Sequence, residues 1–303
     1  WSRGLTDRTR LVLVAHLLGT RSELDDLFEL CAYRRIPVVE DCAQAFDGLD
    51  YLGDSRALAS LFSFGAIKTC SALGGGMGII RDADLRDAIR ERVGAYPQQS
   101  RWRYLGKVAQ YGVMKALTRP MLYGLFVRAC RWTGRSHDQV INGAVLGLKG
   151  DDYLAVLRMR PSVPLMALLR RRLRHPDGAS LDARRGAGDQ LLELLSKDVP
   201  VLGRHASHHS WWQFCVVSPD PATLISHLRM RGFDATVGSS RLTPAPAPPG
   251  FVDPERIREV MSHVIYIPAY AQLGERGRMA LAQALRERSD LLVWPSGWKA
   301  PES

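Results

Sequence analysis

The chain has 303 residues, 46% of them hydrophobic and 24% charged, with a formal net charge of +10. This composition builds ordinary globular cores and excludes wholesale disorder, collagen-like repeats, coiled coils and mini-proteins. The length corresponds to about two domains at ~100–200 residues each, and uncharged runs such as Thr69–Ile80 stop well short of the ~20 apolar residues of a spanning helix.

The first element is the continuous apolar run Leu11–Ala15, which reads as a buried strand. It comes within a dozen residues of a start, Trp1-Ser2-Arg3, that has neither methionine nor leader, so the fold is expected to have lost its front end. Ser22–Arg35 carries Leu24, Leu27, Phe28, Leu30 and Cys31 at helical spacing, with Ser22 as the expected N-cap. Ile36–Val39 reads as a second strand ending at Glu40-Asp41, Leu58–Phe64 as a third, and Met77–Arg81 as a short fourth. Asp82–Arg92 is the next helix. Strands alternating with helices predict an α/β fold with a mostly parallel sheet, and ligands at the strands' C-terminal ends.

Beyond Tyr96 the pattern changes. Arg101–Thr118 and Arg119–Trp132 are helix-forming and rich in aromatic and basic residues. Met159–Arg174 and Leu181–Lys197 supply more helix, and Trp211–Val217, Pro221–Arg231, Val264–Ile267 and Glu275–Arg288 read as strand, helix, strand and helix of a smaller α+β lobe. The Pro-rich stretch Thr243–Gly250 is a loop. The expected division is 1–95 for the remainder of a large domain, 96–175 for a helical insert with connecting helices, and 176–303 for the small C-terminal domain.

The basic charge comes almost wholly from arginine, 35 residues against six lysines, and the arginines are dispersed. That reads as compositional bias, not as a nucleic-acid surface. Five cysteines, scattered and odd in number, with no Cys-x-x-Cys, point to a reducing, cytoplasmic setting and away from a zinc site or disulfide framework. His205, His208 and His209 lack a cysteine or carboxylate neighbour to complete a metal set, so no metal site is assigned. Trp211 and Trp212 read as core or interface, and Arg170–Arg172 as a solvated helix face.

Three segments carry chemistry. Lys68 stands in a stretch with no acidic residue between Ser55 and Arg81; a lysine whose surroundings strip water from its ammonium becomes a nucleophile, and the plainer alternative is a lysine snorkelling at a strand end. Asp41 lies one step past a buried strand, where it can pair a cationic heterocycle nitrogen, bind a metal or cap the following turn. Gln44 falls on the same side if a helical turn begins there. Gly74-Gly75-Gly76 allows close backbone approach to a ligand.

In this order and spacing Glu40-Asp41-Cys42-Ala43-Gln44, Ser63-Phe64-x-x-x-Lys68 and Gly74-Gly75-Gly76 resemble the DegT/StrS family of pyridoxal-phosphate (PLP) sugar aminotransferases, and His16-Leu17-Leu18-Gly19 resembles its His-x-x-Gly. The resemblance implies an aspartate-aminotransferase-like large domain, truncated here at its N-terminus, plus a small α+β domain. It implies that Lys68 is the catalytic lysine joined to PLP, that Asp41 holds the pyridine nitrogen protonated, that Gln44 lies over the ring and that Ser63 donates to the phosphate. The implied reaction moves an amino group from an amino acid, usually glutamate, to a keto-sugar carried on a nucleotide, for surface-glycan or amino-sugar biosynthesis, in a homodimer.

Two departures accompany the match. The family's glycine-containing phosphate turn and stacking aromatic would precede Leu11. Where the family has Asn-x-Arg reaching a neighbouring subunit's phosphate, this chain has Arg158-Met159-Arg160, and Arg158 takes the Asn position. These departures leave a second reading, a catalytically degenerate binding or assembly subunit. The family's dehydratases carry His in place of the lysine, so Lys68 argues against that branch. The aromatic-basic stretch 96–150 is longer than the family's linker; it reads as added packing or a dimer surface, or more sharply as a weak membrane-surface contact.

Overall fold

The structure, a computed structural model, describes residues 4–117, 132, 155, 157–237 and 255–294. The expected helix Arg119–Trp132, apart from Trp132, and the loop Thr243–Gly250 lie outside them. The chain divides into two compact units, Trp1–Val14 with Asp26–Pro176, and Ala15–Asp25 with Asp177–Ser303.

In the first unit β1 (Val12–Ala15), β2 (Val38–Asp41), β3 (Ala59–Ser63) and β4 (Gly76–Ile80) form one sheet in that order. β2 runs parallel to β3, with Asp41 opposite Leu61, and β4 returns antiparallel along β3, with Ser63 opposite Gly76. An α/β sheet therefore ends in an antiparallel edge strand, and Asp41 and Ser63 both stand at the C-terminal ends of neighbouring parallel strands.

Helix α1 (Asp25–Tyr33) buries Leu27, Phe28 and Cys31. It starts three residues later than its sequence suggests. Ser22 is not its N-cap: the Ser22 amide donates to His16 Nδ1 at 3.1 Å, a bond that holds it outside the helix. The second strand also starts late, at Val38. Arg35 takes a left-handed φ of 57°, and the Ile36 amide donates back to Cys31 O, so Ile36 closes the helix instead of opening the strand.

Helix α2 (Ala83–Gly94) is capped by Asp82, which accepts from the Leu85 amide at 2.7 Å. Helices α3 (Arg101–Leu117) and α4 (Val163–Arg174) follow. The expected start of α4 at Met159 is too early, because Arg160 is engaged as a bridge: its amide donates to Pro97 O and its carbonyl accepts from Gln99. The core of this unit gathers Cys42, Ala45, Phe46, Phe62, Phe64, Ala72, Tyr104, Leu165 and Leu169. Phe46 meets Phe62 and Phe64 edge-on, with ring centroids 5.8 and 5.4 Å apart.

The second unit contains α5 (Gly178–Leu194), β5 (Phe214–Val217), α6 (Pro221–Met230), β6 (Thr236–Val237), α7 (Glu255–His263), β7 (Val264–Ile267) and α8 (Gly274–Arg286). Its antiparallel sheet, ordered β5-β7-β6, has every residue of β5 buried. Leu191, Leu224, Leu228, Ile265, Leu281 and Leu285 from three helices and β7 fill the core against it. The strand expected from Trp211 begins only at Phe214, because Trp211 turns through a φ of 47° into the core. Among the described residues, no helix is long and apolar enough to cross a membrane.

Candidate cofactor site

Three of the residues singled out in the sequence are brought to one place by the β2–β3 pair and the turn that follows. Asp41 ends β2, half-buried, and its Oδ1 accepts from the Ala43 amide at 2.9 Å, so one carboxylate oxygen fixes the turn. Ala43–Ala45 makes a single turn, closed by the Ala45 amide on Cys42 O, and half-buried Gln44 is its middle residue. The turn-capping alternative for Asp41 is thus real, and it leaves Oδ2 for a second role.

Ser63 ends β3, and the chain then turns tightly so that the Lys68 amide donates to Gly65 O at 3.1 Å. A Cβ built on Gly65 would lie 3.8 Å from Lys68 Cγ and 3.9 Å from Ser63 Oγ. The lysine stem and the serine hydroxyl therefore both approach a residue with no side chain. Lys68 is half-buried, and burial lowers its ammonium pKa while the Asp41 carboxylate opposes the shift. Desolvation favours the neutral, nucleophilic form of the amine, and the nearby serine hydroxyl is a donor for an anion.

The turn is held from behind. Phe64, fully buried, accepts at its carbonyl from both Ala72 and Gly74, and its amide donates to Gly75 O. A Cβ on Gly76 would come within 2.9 Å of Phe62 O, which explains a glycine at the position opposite Ser63. Leu73 adopts a φ of 59°, a strained setting for a leucine, at the exit of this loop.

The structure adds residues that sequence reasoning missed. Tyr104 of α3, 2% exposed, donates its hydroxyl to Ala72 O at 2.7 Å and so latches the lysine loop. Lys107, one turn on, is a second half-buried lysine whose pKa is lowered by burial, and its Nζ lies 4.0 Å from a Cβ built on Gly74. Glu40, fully buried, accepts from Tyr51 Oη, the Asp54 amide and Ser60 Oγ, each at 2.8 Å. That cage fixes β2 immediately before Asp41, and Gly53 makes room for it: a Cβ there would fall 2.7 Å from Glu40 Oε2. The only local signal was an acid in a hydrophobic strand; its partners are distant in sequence.

Arg158 stands apart. It is exposed on a bend, and among the described contacts none joins it to Asp41, Ser63 or Lys68. Its neighbour Arg160 donates from Nε to Tyr96 O, and Ser162 donates to Gln99, so the 158–162 segment is tied to residues 96–99.

Residues 2–114 match the model of the DegT/DnrJ/EryC1/StrS aminotransferase family. Over that segment, a little more than a third of its length, the chain is similar to the family. A relative from Shewanella sediminis, UDP-4-amino-4-deoxy-L-arabinose–oxoglutarate aminotransferase, is 36% identical over 88 residues, 28% of this chain and 22% of its own. The L-glutamine:2-deoxy-scyllo-inosose aminotransferase of Streptomyces fradiae is 40% identical over 84 residues, 27% of this chain and 20% of that one. The match to these relatives thus spans about a fifth of their length. A DegT/DnrJ/EryC1/StrS-like fold extends further: the X-ray structure of S. venezuelae DesV, in complex with a ketimine intermediate, aligns over 94% of this chain and 66% of its own, with a TM-score of 0.60 and 22% identity. The fold is therefore that of the PLP aminotransferases, with a mixed α/β large unit and an α+β small one.

The family's cofactor is pyridoxal 5′-phosphate, and the residues present fit it. When the cofactor is bound, Lys68 would offer a desolvated amine to its aldehyde, Asp41 a carboxylate to the ring nitrogen and Ser63 a hydroxyl to the phosphate, while Gly65 carries no side chain beside them.

Proposed function

We propose that the protein is a PLP-dependent aminotransferase that moves an amino group from glutamate to a keto-sugar carried on a nucleotide, in amino-sugar or surface-glycan biosynthesis. The observation that carries this reading is Lys68: half-buried, its pKa lowered by desolvation, folded over Gly65 beside Ser63 and in the field of Asp41. The cofactor supplies an electron sink for charge developing on the substrate carbon. The chain's own residues do the rest. Lys68 binds the cofactor and then moves a proton at its Nζ, first accepting it from the substrate carbon and then returning it, work that favours an amine titrating closer to neutrality. Asp41 keeps a proton on the ring nitrogen, Ser63 donates to the phosphate and Gln44 covers the ring.

The relatives support amino transfer to a sugar or cyclitol, and the glutamate donor and nucleotide carrier are part of the proposal. Their names describe amino transfers involving a UDP-linked aminosugar with oxoglutarate in one case, and a deoxyinosose with glutamine in the other. Arg158, exposed and cationic, is suited to an anion brought by a second copy of the chain in a cytoplasmic homodimer. The division at 95 and 175 goes with this reading: 1–95 holds the PLP groups, and 96–175 adds helices that brace them.

The test uses full-length protein supplied with PLP. Borohydride reduction followed by peptide mass mapping should place one pyridoxyl phosphate on Lys68, and amino transfer from glutamate to a nucleotide-linked keto-sugar should follow. A modified Lys68 with transfer only from glutamine to an unlinked cyclitol would move the substrate class. An unmodified Lys68 would support the degenerate, non-catalytic subunit.

A further inference from the structure

Packing accounts for only one face of helix α3. Tyr104 and Val108 turn into the core of the first unit. The opposite face carries Trp102, Leu105, Ala109, Val113 and Ala116, at spacings of three or four residues that align them in one stripe along the 17-residue helix. All five are exposed, Trp102 by 70% and Val113 by 60%. At 3.6 residues per turn, Arg103 lies to one side of this stripe and Arg101 and Lys115 to the other, while Lys107 sits on the half-buried side with its Nζ toward Gly74. Arg101 lies over the Trp102 ring, 5.2 Å from its centroid. No carboxylate occurs on α3, and none occurs in the sequence between Glu91 and Asp138.

We propose that α3 docks the protein on an anionic phospholipid surface, with the Trp102–Val113 stripe entering the acyl boundary and the flanking cations meeting phosphate headgroups. This goes beyond the aminotransferase reading and does not depend on it. An apolar stripe bordered by cations, with an aromatic residue near one end and no acid, is the surface that lies in a charged bilayer interface. Charge decides among the other occupants. A second copy of α3 would bring three cations against three like cations, with no carboxylate on either helix. A nucleic acid would require cations along the line of contact, and that line is apolar. Helix α2 sharpens the point: Leu85, Ile89 and Val93 are also partly exposed, but Asp84, Asp87 and Glu91 stand among them, so α2 lacks the positive field.

Flotation of the full-length protein with vesicles tests this. It should rise with vesicles of equal parts phosphatidylcholine and phosphatidylglycerol and not with phosphatidylcholine alone, and high salt should release it. Arg101→Gln with Arg103→Gln should weaken partitioning roughly 25-fold, at about fivefold per cation. Trp102→Ser with Val113→Ser should abolish flotation while circular dichroism and thermal midpoint hold. Leu85→Ser on α2 should change nothing. Failure to float, equal flotation with neutral vesicles, or flotation indifferent to the α3 substitutions would overturn the proposal. So would a change from dimer to monomer on light scattering with Trp102→Ser and Val113→Ser, which would make the stripe a contact between copies.

Discussion

Each unit contains a base stripped of water by its neighbours, and the two sites use glycine in opposite ways. In the second unit His209 is stacked on Trp211, centroids 3.7 Å apart, and Trp211 in turn on Phe214. Burial pushes the His209 pKa down to about 4. Glycines let this stack close: a Cβ on Gly188 would fall 2.1 Å from Trp211 Cγ, and one on Gly203 2.9 Å from His209 Nε2. In the first unit the glycine beside Lys68 leaves room instead, since a Cβ on Gly65 meets nothing nearer than 3.8 Å. Desolvation alone therefore does not mark a functional base. Lys68 has space, a hydroxyl and a carboxylate about it, whereas His209 is packed as core.

The most decisive break of that contrast is Lys68→Ala. It should lower amino transfer by about 10²–10⁴-fold or more, through loss of the group that holds the cofactor and moves the proton, with little change in the thermal midpoint. Its counterpart is Trp211→Ala, which should leave the chemistry of the first unit in place and destabilise the second unit by about 3–5 kcal/mol in urea unfolding. Equal loss of stability from both substitutions would erase the distinction drawn between the two bases.

A third probe is pH. His209 binds its proton more weakly folded than unfolded, so between its ordinary value of 6.5 and about 4 the unfolded chain holds more protons. Stability from this group is full above pH 6.5 and is lost as pH falls toward 4, by up to about 3 kcal/mol. Denaturant unfolding at several pH values should show that slope, and His209→Asn should flatten it. The smallest effect belongs to the latch behind the lysine. Tyr104→Phe removes the hydroxyl bond to Ala72 O and should cost about 0.5–1.5 kcal/mol of stability, with PLP affinity falling and the Lys68 attachment surviving.

What the sequence revealed and what it hid divide along the same line. Asp41, Ser63 and Lys68 were legible because each sits within a few residues of the strand end that places it, and the alternation of strand and helix located those ends. The start of α1 was misread because Ser22 is held by His16 and not by the helix that follows. Trp211 was read correctly as a core residue, yet the strand was begun at it, since nothing local signals a left-handed φ at a tryptophan. The Glu40 cage and the Tyr104 latch join residues 11 to 32 positions apart, and no pattern in the chain announces such pairs.

The central claim is that Lys68 is the residue that holds the cofactor. The direct measurement is borohydride reduction of the full-length, PLP-supplied protein, followed by mass mapping of its lysines. The account predicts one pyridoxyl phosphate, on the peptide carrying Lys68, and none in Lys68→Ala. Label on Lys107 with Lys68 unmodified, or no label on either, would contradict it.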